Sequence, residues 1–354
     1  MIFRTREVDD EQVSTKSGGW RDTATFLMLY ILLFPLWGPL AYIYYKLFGE
    51  KKEKKRAEQA RTELLYNEDR KYKRRCLRRF FNRTSLDPAV FWLTEIRYSE
   101  VKIPKSTGGT RVLSVPEDDL KSLQAKLASH LQLALQSKVH KCANAYVPGR
   151  SILTNAKPHL GCAVLIKLDI KQFFDSVKKE QIRPWVFSAL RAHALTERVV
   201  DLVFSERGLP QGAPTSPLLS NLVLRRLDIE LYRECNRLGA IYTRYADDIT
   251  ISLKEDDSAI IKYLIKIVEG LLKTEGFVLN KKKGKLQVLR PHQAQRICGV
   301  TINSGRLSIS RQQRRILRAA KHRRKHGAES TLSDDQLAGW DAYVHMVMHQ
   351  KPHG

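Results

Sequence analysis

The alternation of apolar and polar positions divides this chain into segments of different character. Leu120, Leu123, Leu127, Leu131 and Leu135 recur at helical spacing and predict a helix over residues 117–137. CAVLIKLDI at 162–170 is a continuous apolar run ending in an acid, the pattern of a buried strand. IPKSTGGTRVLSVP at 103–116 predicts a strand, a turn at Gly108–Gly109 and a returning strand. Residues 217–236 predict a helix opening after Pro217, and residues 258–274 another, amphipathic one. IYTRYADDITIS at 241–252 predicts two short strands around a tight turn. ICGVTIN at 297–303 predicts a further short strand, followed by a basic helical tail from about Arg311. Residues 50–81 are dense in charge with sparse apolar positions, which predicts a helix that is solvated or lies on nucleic acid. Strands and helices interleave without regular βαβ order, so the expected fold class is α+β.

One stretch departs from this texture. Residues 23–45, TATFLMLYILLFPLWGPLAYIYY, carry no charge. As a helix they span about 34 Å against roughly 30 Å of bilayer hydrocarbon, which predicts an N-terminal transmembrane helix. Trp37, Tyr42, Tyr44 and Tyr45 suit a membrane interface, while Pro35, Gly38 and Pro39 permit a kink or a re-entrant hairpin. A buried core helix is the plain structural alternative. Lys46 and KKEKKR at 51–56 follow the segment, whereas Glu7, Asp9, Asp10, Glu11 and Asp22 precede it. The excess of cations on the C-terminal side places the bulk of the chain in the cytoplasm, anchored to the inner membrane.

Composition sharpens the picture. The 354 residues hold 62 Lys and Arg against 37 acids, a net charge of +25, which predicts a polyanionic partner: nucleic acid or an anionic membrane surface. The five cysteines are odd in number, scattered and without a CxxC, which argues against a disulfide framework and against a zinc site. The candidate chemistry is acidic. Asp169 ends the run VLIKLDI, and Asp247 and Asp248 sit in YADD between strand-like flanks. Phosphoryl transfer by two metals needs carboxylates that bridge ions about 4 Å apart, and magnesium prefers such hard oxygen ligands. Acids on adjacent strands can meet at one sheet edge however far apart they lie in sequence. The Asp247–Asp248 pair taken alone is equally a turn cap.

Several segments together carry a resemblance. LDIKQFFDSV (168–177), GLPQGAPTSPLLSN (208–221), RYADDITIS (244–252), GFVLNKKKGKL (276–286) and ICGVTIN (297–303) resemble, in order, the successive palm motifs of reverse transcriptases. IPKSTGGTR (103–111) resembles the fingers motif of bacterial members, so the likeness covers roughly residues 95–325. Within that family the chain most resembles the retron reverse transcriptases. NAKPH (155–159) fits their NAxxH signature and SISRQQRRILRAA (308–320) the start of their thumb. Ile297, Cys298 and Gly299 stand where retrons carry Val-Thr-Gly, and the apolar N-terminal segment lies outside the retron pattern.

The resemblance implies a right-hand polymerase: an N-terminal unit at 1–60, fingers at 61–168, a catalytic palm at 169–303 and a basic helical thumb at 304–354. It implies an RNA-directed DNA polymerase that copies a dedicated structured RNA from deoxynucleoside triphosphates. Priming would come from a 2′-hydroxyl within that RNA, giving an RNA–DNA hybrid, with links to anti-phage defence and an effector protein. The rivals are a bacterial defence reverse transcriptase that primes differently, and a membrane-tethered RNA-binding protein on an inactive polymerase scaffold. Asp169, Asp247 and Asp248 would hold two Mg2+ ions. Lys105 and Arg111 match the fingers cations on the triphosphate. Phe174 matches the aromatic that clashes with a 2′-hydroxyl, Phe173 reads as plain core, and Gln211 lines the nucleotide pocket. Gly212 would allow close backbone approach. Lys283 matches the lysine that protonates pyrophosphate, with Lys281, Lys282 and Lys285 as equally basic neighbours. Asn155 and His159 stand one helical turn apart, either near the RNA or as a cap and a satisfied core histidine. Arg311, Arg314, Arg315 and Arg318 would grip a duplex backbone, with Ile316, Leu317 and Ala320 turned inward.

Overall fold

The computed structural model describes residues 58, 70–104, 110–282, 284–303, 305–327 and 329–348. Contacts divide the chain into residues 1–73 and 74–354. Of the first unit, only 58 and 70–73 are described, and all are helical. The apolar segment 23–45 lies outside the described residues. Among the described residues no helix is long and apolar enough to cross a membrane.

The larger unit opens with helical residues 74–84, then α1 (Pro88–Leu93), β1 (Tyr98–Pro104), β2 (Thr110–Pro116), α2 (Asp118–Leu135), α3 (Ile152–Ala156) and β3 (Val164–Asp169). A helical turn at Phe173–Ser176 leads to α4 (Lys179–Leu190), α5 (His193–Leu202), α6 (Ser216–Val223) and α7 (Arg225–Arg237). The chain continues through β4 (Ile241–Tyr245), β5 (Asp248–Leu253), α8 (Ser258–Thr274), β6 (Gln287–Leu289), β7 (Arg296–Ile297) and β8 (Val300–Thr301). It ends with α9 (Arg311–Lys325) and α10 (Asp334–Met348).

A four-stranded sheet of order β4-β5-β3-β6, antiparallel at every step, organises this unit. Side chains alternate across a strand, so β3 serves two cores. Val164, Ile166 and Leu168 enter the main core, with Leu120, Leu127, Leu131 and Leu135 of α2 and Val268 and Leu272 of α8. Leu165 enters a second core built from Leu153 and Ala156 of α3, Ile297, Val300 and Ile302, and Leu317, Ala320 and Leu337 of the last two helices. Asp169 falls on the Leu165 face by the same alternation. Burial of both faces explains why β3 is apolar at every position before Asp169 except the half-buried Lys167.

The helices follow from their apolar stripes and caps. The α8 stripe of Ile261, Leu264, Val268 and Leu272 is buried, and the Asp257 carboxylate accepts from the Ala259 and Ile260 amides at 2.7 and 3.1 Å. The single helix expected over 217–236 is broken at Leu224, where ψ rises to 2°. The physical reason is burial: α6 is enclosed nearly all round, Ser220 and Asn221 included, whereas α7 buries one stripe, so the axis changes between them. The strand expected over 297–303 is instead a hairpin, β7 with β8, turning at Cys298 and Gly299 with φ of 47° and 83°. The expected hairpin at 103–116 forms as β1 with β2, its turn at 105–109 lying outside the described residues. On α9, Leu317 and Ala320 are buried, but Ile316 is exposed rather than inward. The final stretch is not uniformly basic. Asp334 and Asp341 on the α10 side pair with Arg324 and Lys321.

Candidate active site

Strand register brings the acids together. β3 and β5 lie antiparallel with Asp169 opposite Asp248. β4 and β5 are joined by a two-residue turn, Ala246–Asp247, closed by Tyr245 opposite Asp248. Such a turn favours positive φ at its first central residue, and Ala246 adopts φ of 55° without being glycine. The Ile170 amide donates to the Asp247 carbonyl at 3.3 Å, tying the tip to the end of β3. Asp169, Asp247 and Asp248 therefore share one sheet edge, with Asp169 buried, Asp247 half-buried and Asp248 exposed.

The segment after α8 closes over Asp169. An isolated bridge joins Ile170 to Leu279, and the Asn280 amide donates to the Asp169 carbonyl at 2.8 Å. The side chain of Asn280 donates to Asp169 Oδ2 at 2.7 Å, and Lys285 Nζ meets Asp169 Oδ1 at 2.7 Å. Loss of hydration pushes the Asp247 carboxyl up to about 6, helped by Asp248 and Asp169 and opposed by Lys285. Asp248 is raised too. Its side chain reaches solvent, yet surrounding protein atoms thin its hydration, and Asp169 adds repulsion that Lys167 and Lys285 offset. The Lys285 ammonium is held charged above its ordinary value, first by its hydrogen bond to Asp169.

Three carboxylates crowd one edge, and among the described residues Lys285 and Lys167 offset their repulsion, an arrangement whose charge suits a hard cation. It is not a ready-made cage. Among the described residues no three His, Cys, Asp or Glu side chains stand arranged to hold a metal ion. Both Asp169 oxygens are engaged, one by Lys285 and one by Asn280. The donor chemistry fits divalent cations, and Lys285 stands beside Asp169 as the charge such a cation would replace.

The other sequence candidates divide. Phe173 is buried in the core and Phe174 half-buried, their rings in edge contact at 5.5 Å. Gln211 is exposed. Gly212 does allow a close approach, but to β2: its amide donates to the Ser114 carbonyl at 3.3 Å, and a Cβ there would lie 3.0 Å from that oxygen. Arg111 has its backbone in β2, opposite Ile103. Lys105 and Lys283 lie outside the described residues, and the described lysine that reaches the acids is Lys285.

The structure corrects the RNA contact expected of Asn155 and His159. Both are fully buried, at 0% exposure, and offer no surface to a nucleic acid. The His159 ring nitrogens bond Ser252 Oγ at 2.6 Å and Thr243 Oγ1 at 2.8 Å, and Thr243 Oγ1 donates to the Asn155 carbonyl at 3.3 Å. The pair braces the inner face of the hairpin that bears Asp247 and Asp248. On α9, Arg311, Arg315 and Arg318 are exposed and Arg314 half-buried. Sequence reasoning gave no role to Asn280, Lys167, Asp228 or Arg244. The available signal was their placement: Asn280 ends the short run VLN, and Asp228 falls on the apolar stripe of α7.

The chain is 35% identical to the retron Mx65 reverse transcriptase of Myxococcus xanthus, over 71% of this chain and 61% of that protein. It is 33% identical to the retron Mx162 reverse transcriptase of the same organism, over 72% and 58%. It thus spans about three fifths of the length of these curated relatives. A solved Candida albicans telomerase, in complex with a fragment of telomeric RNA, overlaps 74% of this chain and 56% of its own at a TM-score of 0.46 and 11% identity. The family of reverse transcriptases (RNA-dependent DNA polymerases) matches residues 103–316. With more than half its length so matched, and with its acids meeting on one sheet edge, the chain belongs to the reverse transcriptase family.

Proposed function

We propose that this chain is an RNA-directed DNA polymerase of retron type, extending a primer with deoxynucleotides on a dedicated structured RNA. The observation that carries the reading is the register of Asp169 against Asp248, with Asp247 on the adjoining tip. In this reading Asp169, Asp247 and Asp248 hold two magnesium ions, which when bound lower the pKa of the attacking hydroxyl and offset charge on triphosphate and pyrophosphate. Asn280 and Lys285 keep Asp169 oriented until the ions arrive. Phe174 stands against the incoming sugar, Gln211 lines the nucleotide pocket, and Lys105 and Arg111 meet the phosphates. Lys283 or Lys285 protonates the leaving pyrophosphate.

Residues 61–168 serve as fingers, 169–303 as palm and 304–354 as thumb, with α9 lying along the duplex backbone. Segment 23–45 anchors the protein in the inner membrane, leaving the catalytic unit in the cytoplasm. Priming from a 2′-hydroxyl of the partner RNA, and a role in anti-phage defence beside an effector protein, follow by analogy with the retron relatives.

The decisive test is magnesium-dependent primer extension on an RNA template by the full chain and by Asp247→Asn. Loss of incorporation is expected; full incorporation by the variant refutes the mechanism. Sequencing of co-purified nucleic acid tests the retron assignment: a short DNA joined to RNA through a 2′ branch supports it, and a protein-linked or untemplated product supports the differently primed rival. Release of the full-length protein by carbonate washing without detergent would remove the membrane anchor.

A further inference from the structure

A buried ion pair adds little stability over an apolar filling of the same volume, so one inside a core points to a geometric task. Arg244, on β4, and Asp228, on α7, have fully buried side chains. The guanidinium forks onto the carboxylate, Nε to Oδ1 at 2.8 Å and Nη2 to Oδ2 at 2.6 Å. Its remaining nitrogen, Nη1, donates to Asn221 Oδ1 at 3.1 Å and to the Ala246 carbonyl at 2.8 Å. Every partner is itself fixed. Asp228 Oδ1 also accepts from the Tyr242 hydroxyl at 2.7 Å, and Asn221 Nδ2 donates to the Ala145 carbonyl at 2.8 Å. The Arg244 backbone is clamped from the other side, its amide donating to the Cys142 carbonyl and its carbonyl accepting from the Asn144 amide.

The carbonyl at the end of this chain of contacts belongs to the residue that most needs holding. Ala246 sits at φ of 55°, a left-handed conformation that an L side chain resists. Its carbonyl and the Asp247 amide share one rigid peptide plane. Gripping that oxygen therefore fixes the direction in which the chain enters Asp247. We propose that the Asp228–Arg244 pair is a positioning device that sets the Asp247 carboxylate at the cation site through the Ala246 carbonyl. This rests on the reading of Asp247 as a metal ligand.

The experiment is calorimetric titration of Mn2+ into the full chain, with thermal melting as the check on folding. Arg244→Lys keeps a cation beside Asp228 but loses the fork. The double variant Asp228→Leu with Arg244→Met leaves no unpaired buried charge. Folded forms of either are expected to bind Mn2+ roughly tenfold or more weakly, the loss usual when a residue orienting a metal ligand is removed. Adding Ala246→Gly to Arg244→Lys is expected to restore part of the affinity, because glycine adopts the left-handed turn unaided. Tyr242→Phe, which cuts one bond to Asp228 and spares the grip on Ala246, is expected to bind as the native chain does. Native affinity in a folded Arg244 variant overturns the proposal, and so does a tenfold loss in Tyr242→Phe, which does not depend on the harsher variants folding. A native chain that binds no Mn2+ overturns the cation site itself.

Discussion

Acid should loosen the four-stranded sheet through one imidazole. His159 is sealed beneath β4 and β5, its two nitrogens bonded to Thr243 and Ser252 hydroxyls and no carboxylate among those partners. Burial holds its pKa down to about 4 against an ordinary 6.5. The unfolded chain therefore takes up the proton first as pH falls. The stabilisation is complete above pH 6.5 and is lost progressively as pH drops toward 4. A shift of that size corresponds to about 3 kcal/mol, a large part of the roughly 5–15 kcal/mol that holds a typical domain together. Urea unfolding of the native chain and of His159→Gln between pH 4.5 and 7.5 measures it. Glutamine can also donate and accept but does not titrate. Asp247, raised to about 6, contributes with the opposite sign, since its folded form prefers the proton, but it is common to both proteins and cancels in the difference. The native chain should lead at pH 7.5 and the two curves should converge toward pH 4.5. Parallel curves, or a His159 resonance titrating near 6.5, would refute the reasoning.

Three further outcomes are expected. A proton on Asp247 competes with a cation, so Mn2+ binding measured by calorimetry should be flat above pH 7 and weaken by up to about tenfold per pH unit below 6; an unchanging profile would exclude Asp247 as a ligand. Gly208→Ala places a Cβ 2.8 and 2.9 Å from the Phe174 and Asp175 carbonyls at φ of 93°, so it should cost about 1–3 kcal/mol in thermal melting and shift the preference for deoxy- over ribonucleotides by moving Phe174; a variant unchanged in both would contradict this. Neutralising Arg311, Arg314, Arg315 and Arg318 together should lower the slope of log affinity against log salt for an RNA–DNA duplex by about 3.6, and an unchanged slope in filter binding would take α9 off the nucleic acid.

Much of the site was legible because two short-range rules fixed it. An apolar run before Asp169, interrupted by Lys167 alone, announced a buried strand, and YADD between alternating residues announced a tight hairpin. What stayed hidden depended on long-range geometry. Four lysines within five residues, Lys281 to Lys285, look alike in sequence. The selection of Lys285 rests on where Gly284, at φ of 82°, turns the chain and on how close the Asn280 segment lies to Asp169. His159 was ambiguous for the same reason, since its hydroxyl partners come from strands more than eighty residues downstream.

Arg244 is the instructive case. Lying within a strand pattern beside the acids, it invites reading as one more surface cation, yet α7 carries the counter-signal. Leu227, Asp228, Leu231 and Cys235 form one buried stripe, and Asp228 is the acid on it. An acid on the core face of a helix must meet a cation or stay neutral. β4, which follows three residues after α7, has Arg244 as its only basic residue, and side-chain alternation puts Arg244 on the same face as Tyr242, the core face. The two charges could therefore have been paired from sequence by elimination. The grip on the Ala246 carbonyl could not, because it depends on the turn sitting within reach of a guanidinium whose other nitrogens are already committed.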